Sequence, residues 1–286
     1  MSSSQTTTLQ SVTKGSSLQE ADNARISKQS LPKPPVFDDK YEEREYLKGR
    51  LAATFRLFAK YGFDDGVAGH VTLRDPVDPD TFWVNPLGVP FAHLKRSDLV
   101  QLDHDGVILA GGPVRVINKA AYLILAAIHM ERPDVNCAAH CHSIYARTFC
   151  AFGKTLDMTT QDACAFYNDH SVYEQYHGIV LSTEEGDRVS EALGNNKAVL
   201  MQHHGPLTVG RTIEETAFWY ATLEKVCYSQ LTIDTIAAGR GIPVKAISDE
   251  EAMDAYKTLG SPFIGWFAAQ PMYQVIHKET NAAYLS

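Results

Sequence analysis

The sequence predicts an α/β fold in one domain, because segments with helical periodicity alternate with short strand-like segments along most of the chain. Composition agrees with this class: 44% of the 286 residues are hydrophobic and 21% are charged. Such a chain is long enough to bury one large core or at most two. A third observation is a pair of apolar runs that each end in two closely spaced histidines.

The charge balance and the cysteines limit the partners and the cellular compartment that we expect for this protein. The chain has 26 basic and 34 acidic residues, which argues against nucleic acid as a partner. No apolar run approaches the roughly eighteen residues of a membrane span, and the N-terminus lacks the profile of a signal peptide. The five cysteines lie in apolar segments without a Cys-X-X-Cys pair. We therefore expect a cytoplasmic protein with free thiols and no membrane partner.

Three segments differ in composition. Residues 1–36 are rich in Ser, Thr and Gln and predict a flexible N-terminal arm. Residues 37–243 carry the regular elements and predict the main domain. Residues 244–286 are unusually aromatic for a surface tail, so we expect this C-terminal extension to pack on its own or a neighbouring subunit.

The pattern of apolar and turn-forming residues predicts the secondary structure of the first part of the main domain. Apolar residues recur every three or four positions over 41–61 and predict a helix. Segments 70–74 and 81–84, joined by a proline-rich loop, predict a hairpin, and 98–109 predicts two short strands around a turn.

Further helices are predicted over 118–131, 143–152, 184–193, 212–238 and 249–259. Ser143 is expected to cap the second of these helices. Thr212 and Glu215 are expected to form a capping box at the fourth, in which each side chain satisfies the other residue's backbone donor.

The segment 136–142 predicts a short buried strand that carries two histidines. Side chains alternate along a strand, so His140 and His142 project to the same face and can reach one metal ion. His203 and His204, after the apolar run 198–201, offer a third nitrogen. A metal held by three histidines keeps one coordination position open, which is typical of a catalytic metal centre. The alternative is a cluster of histidines with a purely structural role.

Two segments carry a family resemblance. Residues 132–142, Arg-Pro-Asp-Val-Asn-Cys-Ala-Ala-His-Cys-His, and residues 202–205, Gln-His-His-Gly, resemble the signatures of the class II aldolase/adducin family. Residues 69–72 and 85–88 are similar to its glycine-led turn and TPTG-type loop. The resemblance implies a three-layer fold with a central, mostly antiparallel sheet flanked by helices, and a ring-shaped homotetramer with active sites near subunit boundaries. It also implies a divalent metal, with zinc first and iron or manganese as alternatives, and the ligands His140, His142 and His204.

Several positions depart from the family's sugar-phosphate aldolases. Their catalytic glutamate falls on Ala121, and the serine pair that holds phosphate falls on Lys119-Ala120. The glycine-asparagine of their phosphate loop falls on Gly69-His70, so a phosphorylated sugar is a poor fit. Lys119 and His70 can instead donate to a carboxylate or phenolate, although Lys119 also fits an exposed lysine at a helix start. The predicted substrate-binding residues are Lys119, His70, Gly69, Gly88 and Gln161.

The segment 161–170 is dense in polar and aromatic side chains. The resemblance implies that a tyrosine from this region of an adjacent subunit donates a proton. The ungapped match is Gln161, and Tyr167 follows six residues later. We expect Tyr167, Asp162 or His170 to move a proton, the alternative being a hydrogen-bond network that fixes the loop.

Three functions remain open. The first is a divalent-metal-dependent lyase, aldolase-like or decarboxylase, that acts through a metal-stabilised enediolate on a non-phosphorylated hydroxy-carbonyl or keto acid. Ala121 cannot move a proton, which favours decarboxylation over aldol cleavage. The second is an Fe(II)-dependent oxygenase of an aryl keto acid. The third is a non-catalytic adducin-like interaction module. Ala121 fits this hypothesis, but a module without catalysis has no reason to retain all three histidines.

Overall fold

The computed structural model describes residues 31–176, 178 and 183–286. Most of the predicted N-terminal arm, residues 1–30, lies outside this part of the chain. Residues Val36–Ser286 form one compact unit that contains both the predicted main domain and the C-terminal extension. Within the described ranges, every helix is too short or too polar to cross a membrane.

One sheet runs through the described residues. Its strands are β1 (His70–Arg74), β2 (Thr81–Val84), β3 (Val100–Asp103), β4 (Ile108–Gly111), β5 (Cys137–His140), β6 (His170–Tyr173), β7 (Ala198–Met201) and β8 (Gly205–Gly210). Their order is β4-β3-β2-β1-β5-β8-β7-β6. The β6–β7 pair is parallel and the other neighbours are antiparallel, which confirms the mostly antiparallel sheet.

Helices cover both faces of this sheet. They are α1 (Lys40–Lys60), α2 (Lys119–Glu131), α3 (Ile144–Cys150), α4 (Thr183–Leu193), α5 (Ile213–Arg240), α6 (Asp249–Leu259) and α7 (Pro262–Glu279). Apolar residues of α2 and α4 pack on β5, β7 and β8. Apolar residues of α1, α5 and α7 pack on the other face, against β1 and β5. The predicted three-layer α/β fold is therefore confirmed.

The C-terminal extension packs on its own chain through α7. Tyr273 of α7 is buried and shares a 2.6 Å hydrogen bond with Thr54 of α1. The Arg50 guanidinium lies 3.7 Å from the centroid of the Tyr273 ring and forms a 2.7 Å ion pair with Glu214 of α5. The aromatic residues that made this tail unusual thus join α7 to α1 and α5.

The capping box predicted at the start of α5 forms only in part. Thr212 Oγ1 accepts a hydrogen bond from the Glu215 backbone N–H, at 3.2 Å. The Glu215 carboxylate does not return the bond to Thr212; it accepts from the backbone N–H of Arg211, at 3.0 Å. The prediction of a reciprocal pair was wrong because the Glu215 carboxylate satisfies the backbone donor of Arg211 and not that of Thr212.

The predicted cap of α3 is also wrong. The Ser143 hydroxyl makes no capping bond and instead donates to the Glu224 carboxylate on α5, at 2.6 Å. Glu224 itself accepts from the backbone N–H groups of Tyr145 and Ala146, at 2.9 and 2.7 Å. A buried carboxylate 81 residues further along the chain therefore replaces the local cap.

Candidate metal centre

Three histidines converge where β5 ends and β8 begins. One ring nitrogen each from His140, His142 and His204 lies within 4.8 Å of the other two. The ring centroids are 5.2 Å apart for His140 and His142, 4.7 Å for His140 and His204, and 5.3 Å for His142 and His204. Nitrogens that share one zinc ion, each at about 2.0–2.1 Å, lie no more than about 4.2 Å apart, so small side-chain rotations would bring this cluster to a divalent ion. The role of the three as ligands stays a prediction.

Strand alternation does not place His142, because β5 ends at His140. The sequence predicted that this strand continues to residue 142, so the predicted strand was too long at its C-terminal end. The segment after the strand is instead held by α5, where the Tyr220 hydroxyl donates to the Cys141 carbonyl at 2.7 Å. Glu224 fixes the next residues through its bonds at the start of α3. Two buried side chains of α5 therefore hold the backbone on either side of His142.

His140 is oriented by a backbone carbonyl. Its Nδ1 lies 2.9 Å from the Pro206 oxygen, which can only accept, so Nδ1 carries the proton and the Nε2 lone pair is free. Gly205 permits this approach: a Cβ there would lie 3.2 Å from the Cys141 carbonyl oxygen and 3.5 Å from the His140 ring. The glycine of the Gln-His-His-Gly motif is thus needed for close packing against the histidines.

Burial keeps the cluster neutral. Burial and the neighbouring imidazoles hold the pKa of His140 well below its ordinary value. Burial and the adjacent His142 lower the pKa of His204 to about 4. Burial and the Arg147 charge lower the pKa of His142. Neutral imidazoles at pH 7 have lone pairs available for a metal without first losing a proton.

Two predicted substrate-binding residues lie at this cluster. His70 begins β1 directly opposite His140 in the strand register and is 5% exposed. Burial and the charges of His142 and His204 lower the pKa of His70 to about 4, so its ring is a neutral donor and acceptor. Gly69 has φ +101°, and a Cβ there would lie 2.8 Å from Cys141 Sγ. Only glycine allows this turn to lie so close to β5.

The other predicted substrate-binding residues are exposed. Lys119 lies beside Gly106 in the β3–β4 turn. Gly88, with φ +79°, has open space where a side chain would be. Gln161 precedes the 3₁₀ helix Asp162–Phe166. Their substrate-binding roles stay predictions.

The predicted acid–base residues lie along the segment that leads into β6. His170 begins β6, three strands from β5, which is about 14 Å at the usual spacing of neighbouring strands. Both of its ring nitrogens are occupied: Nδ1 lies 2.7 Å from the Phe166 oxygen and Nε2 accepts from the Leu156 N–H at 2.9 Å. Asp162 is exposed and Tyr167 is half-buried. Within one chain these residues do not join the cluster, so their catalytic role requires a neighbouring subunit and stays a prediction.

Sequence reasoning missed three polar side chains around the site. Glu224 was counted only as part of a helix, although it anchors the segment after His142. Asn85 is 7% exposed and donates to the Gly69 oxygen at 3.4 Å, while its Oδ1 has no partner within the described part of the chain. Arg147 lies one helical turn beyond Ser143 and pairs with Asp65 at 3.1 Å. Of these three residues, only Asn85 could have been found from the sequence, because it begins the segment 85–88 that is similar to the family's TPTG-type loop.

Comparison with known proteins identifies the family. The model of the Class II Aldolase and Adducin N-terminal domain matches residues 49–231. A 4-hydroxy-3-prenylphenylpyruvate oxygenase/4-hydroxy-3-prenylbenzoate synthase from Streptomyces roseochromogenus subsp. oscitans is 43% identical over 242 residues, which cover 84% of this chain and 85% of that protein. Decarboxylase NovR from Streptomyces niveus is also 43% identical over 242 residues, with coverages of 84% and 87%.

A solved structure agrees. The L-fuculose 1-phosphate aldolase from Glaciozyma antarctica PI12 is 39% identical and superposes with a TM-score of 0.82, over 88% of this chain and 96% of that one. The family model over residues 49–231 and the superposition over 88% of the chain agree on one assignment. The chain belongs to the class II aldolase and adducin family.

Proposed function

We propose that this protein is a divalent-metal-dependent lyase that cleaves a carbon–carbon bond of a non-phosphorylated keto acid or hydroxy-carbonyl compound, by decarboxylation or by aldol-type cleavage. The observation that carries the proposal is the convergence of three neutral imidazoles, one of them oriented by the Pro206 carbonyl. Two relatives with 43% identity support it, because one is named as a decarboxylase and the other as an oxygenase of an arylpyruvate.

The donor set fits a divalent metal, on which class II aldolases typically depend. His140, His142 and His204 would hold it, and zinc suits three nitrogen ligands with an open position, with iron or manganese as alternatives. Bound there, the ion would supply Lewis-acid polarisation of two adjacent substrate oxygens.

The chain's own residues narrow the chemistry. His70 is neutral, buried and opposite His140, so a ring nitrogen can hold a substrate oxygen or move a proton. Ala121, near the start of α2, offers no group for proton abstraction. Loss of carbon dioxide needs no base to begin, because the departing carboxylate leaves its electron pair behind. Decarboxylation therefore fits this site better than aldol cleavage.

The substrate is proposed to lack phosphate. Where the resemblance places phosphate-holding serines, the chain has Lys119-Ala120, and where it places an asparagine, the chain has His70. The aldolase named for a sugar phosphate shares the fold, but these substitutions remove the neutral donors that its class uses. An ammonium and an imidazole suit a carboxylate or a phenolate.

A second candidate is an Fe(II)-dependent oxygenase of an aryl keto acid. The name of the Streptomyces roseochromogenus relative favours it. Three neutral histidines also suit Fe(II), so the two candidates share a ligand set and differ in the metal and in the need for oxygen.

One experiment separates these readings. Protein reconstituted with zinc, manganese or iron would be incubated with phenylpyruvate, 4-hydroxyphenylpyruvate, a 4-hydroxy-2-oxo acid or L-fuculose 1-phosphate, with and without oxygen. A lyase releases carbon dioxide or an aldehyde under argon, whereas the oxygenase needs iron and consumes oxygen. Activity on the sugar phosphate alone would contradict the proposed substrate class. If the parent protein neither binds a metal nor acts on any of these compounds, only the interaction module remains as a candidate function.

A further inference from the structure

Two segments flank His142 and carry charge that the proposed function does not use. The first is α3, which begins two residues after His142. The second is the loop of residues 62–69, which leads into His70. This loop lies against the end of β5, since a Cβ on Gly69 would lie 2.8 Å from Cys141 Sγ. Both α3 and this loop therefore border the cluster on the side of His142.

Arg147 extends from α3 toward the loop. Its backbone N–H donates to the Ser143 carbonyl at 3.0 Å, which places it one helical turn beyond the residue that follows His142. Its guanidinium reaches Asp65 in the loop that leads into His70, so the Arg147–Asp65 pair spans the two segments that flank His142. The side chain is 40% exposed and can be reached from solvent.

The partner of Arg147 is easily exchanged. Asp65 Oδ2 lies 3.1 Å from the Arg147 guanidinium, and the Asp65 side chain is 61% exposed. Exposed ion pairs of this kind contribute little to stability, because solvent screens both charges. Gly66, with φ +63°, follows Asp65 in the loop. A bound anion can therefore replace Asp65 on Arg147 at little cost.

We propose that Arg147 is the carboxylate-binding residue of this site, which holds the acid group of a keto or hydroxy acid after Asp65 has released it. The inference rests on the proposed function and names the group that recognises the acid. Arginine presents two parallel N–H donors that match a carboxylate, so it fixes orientation as well as charge.

A carboxylate fits this place better than a phosphate. Phosphate oxygens also match the guanidinium fork, but Asp64 and Asp65 both lie in the facing loop and are exposed. Two carboxylates face one guanidinium here, so the net negative charge of these three side chains opposes a dianion about twice as strongly as a monoanion. Removing the Asp65 charge should then strengthen binding of a carboxylate.

The test measures binding of phenylpyruvate to the zinc-loaded protein by calorimetry. Arg147→Gln should weaken binding by at least about 10-fold, the loss expected for a charge-assisted hydrogen bond. Asp65→Asn should tighten binding by about threefold, because it frees Arg147 and removes repulsion. The methyl ester of phenylpyruvate, which lacks the charge, should bind equally to the parent and to Arg147→Gln.

Lys154→Gln is the matched control. Lys154 is 43% exposed and also ion-paired, with Asp157 and Asp234, beyond the other end of α3. The substitution removes the same charge and should leave phenylpyruvate affinity unchanged. Metal content should be equal in all of these variants, which separates loss of the acid-binding group from loss of the metal site.

The outcomes are distinct. Equal phenylpyruvate affinity in the parent and Arg147→Gln would overturn this inference and leave the proposed function standing. Failure of the metal-loaded parent to bind any keto acid would overturn both. Loss of inorganic phosphate binding in Arg147→Gln, with phenylpyruvate affinity retained, would assign Arg147 to a phosphate and contradict the proposal.

Discussion

His140 and His129 are both buried and neutral, yet they differ in what their nitrogens do. His140 is 5% exposed and has one nitrogen on the Pro206 carbonyl and the other directed to two further histidines. His129, on α2, is 1% exposed and uses both: Nδ1 lies 3.1 Å from the Val135 oxygen and Nε2 lies 2.8 Å from Thr72 Oγ1.

Their pKa values do not distinguish them. Burial lowers the pKa of both rings, to about 3 for His129. A low pKa therefore reports burial here, whereas a free nitrogen that converges with others marks a candidate ligand. His129, stacked on Phe82 with 4.6 Å between centroids, is a core residue that joins α2 to the sheet.

The largest effect should come from truncating His129. His129→Ala removes a stacked ring together with its hydrogen bonds to the Thr72 hydroxyl and the Val135 carbonyl, so we expect a loss of about 2–4 kcal/mol in the free energy of unfolding. Metal content should not change. Urea denaturation and elemental analysis of the same preparation check both points. Loss of metal in a variant that unfolds like the parent would remove the distinction between the two histidines.

The pH dependence of stability sharpens the comparison. Because the pKa of folded His129 is about 3, the unfolded chain binds one more proton than the folded chain at this residue once the pH falls below about 6.5. Stability should therefore fall as the pH falls from 6.5 toward 3, with His129 contributing up to about 1.4 kcal/mol per pH unit.

His129→Gln removes that contribution. Denaturation of the metal-free protein between pH 4 and 7 should give a shallower slope for this variant than for the parent. Equal slopes would mean that His129 titrates alike in the folded and unfolded chains, against the burial seen in the structure.

The smallest effect concerns Glu224. Glu224→Gln keeps the shape but has one acceptor oxygen where the carboxylate accepts from Ser143, Tyr145 and Ala146. We expect the start of α3 to loosen and metal affinity to fall about threefold, below the 10–100-fold typical of groups bonded directly to a ligand. Competition with a chelator measures the change. Glu250→Gln, an exposed acid at the start of α6, is the control, and an equal loss there would point to a general charge effect.

Much of the fold could be predicted because its signals are local. The strand His70–Arg74 and the helix Asp249–Leu259 have the bounds that were predicted from the sequence. The end of β5 could not be predicted, since it depends on Tyr220 and Glu224, about 80 residues away in sequence. Local propensity does not record which tertiary partner satisfies a backbone group.

The residues of the candidate site also fall into two groups, those predicted from local motifs and those that depend on contacts between distant segments. His140, His142 and His204 were found from two short motifs and lie together, although nothing yet tests their role as ligands. The pairing of Arg147 with Asp65 joins residues 82 apart, and no spacing rule predicts it. His170 was expected to move protons, yet the structure gives both of its nitrogens to backbone groups.

The most direct measurement compares two adjacent histidines. His203 is exposed, with φ +61°, and its ring lies 6.0 Å from Tyr176, whereas His204 faces the cluster. Metal content would be measured in the parent, His203→Asn and His204→Asn, because asparagine tolerates the left-handed backbone and is a poor zinc ligand. We expect about one divalent ion per chain in the parent and in His203→Asn, and its loss in His204→Asn. Equal metal content in the two variants would contradict the three-histidine centre.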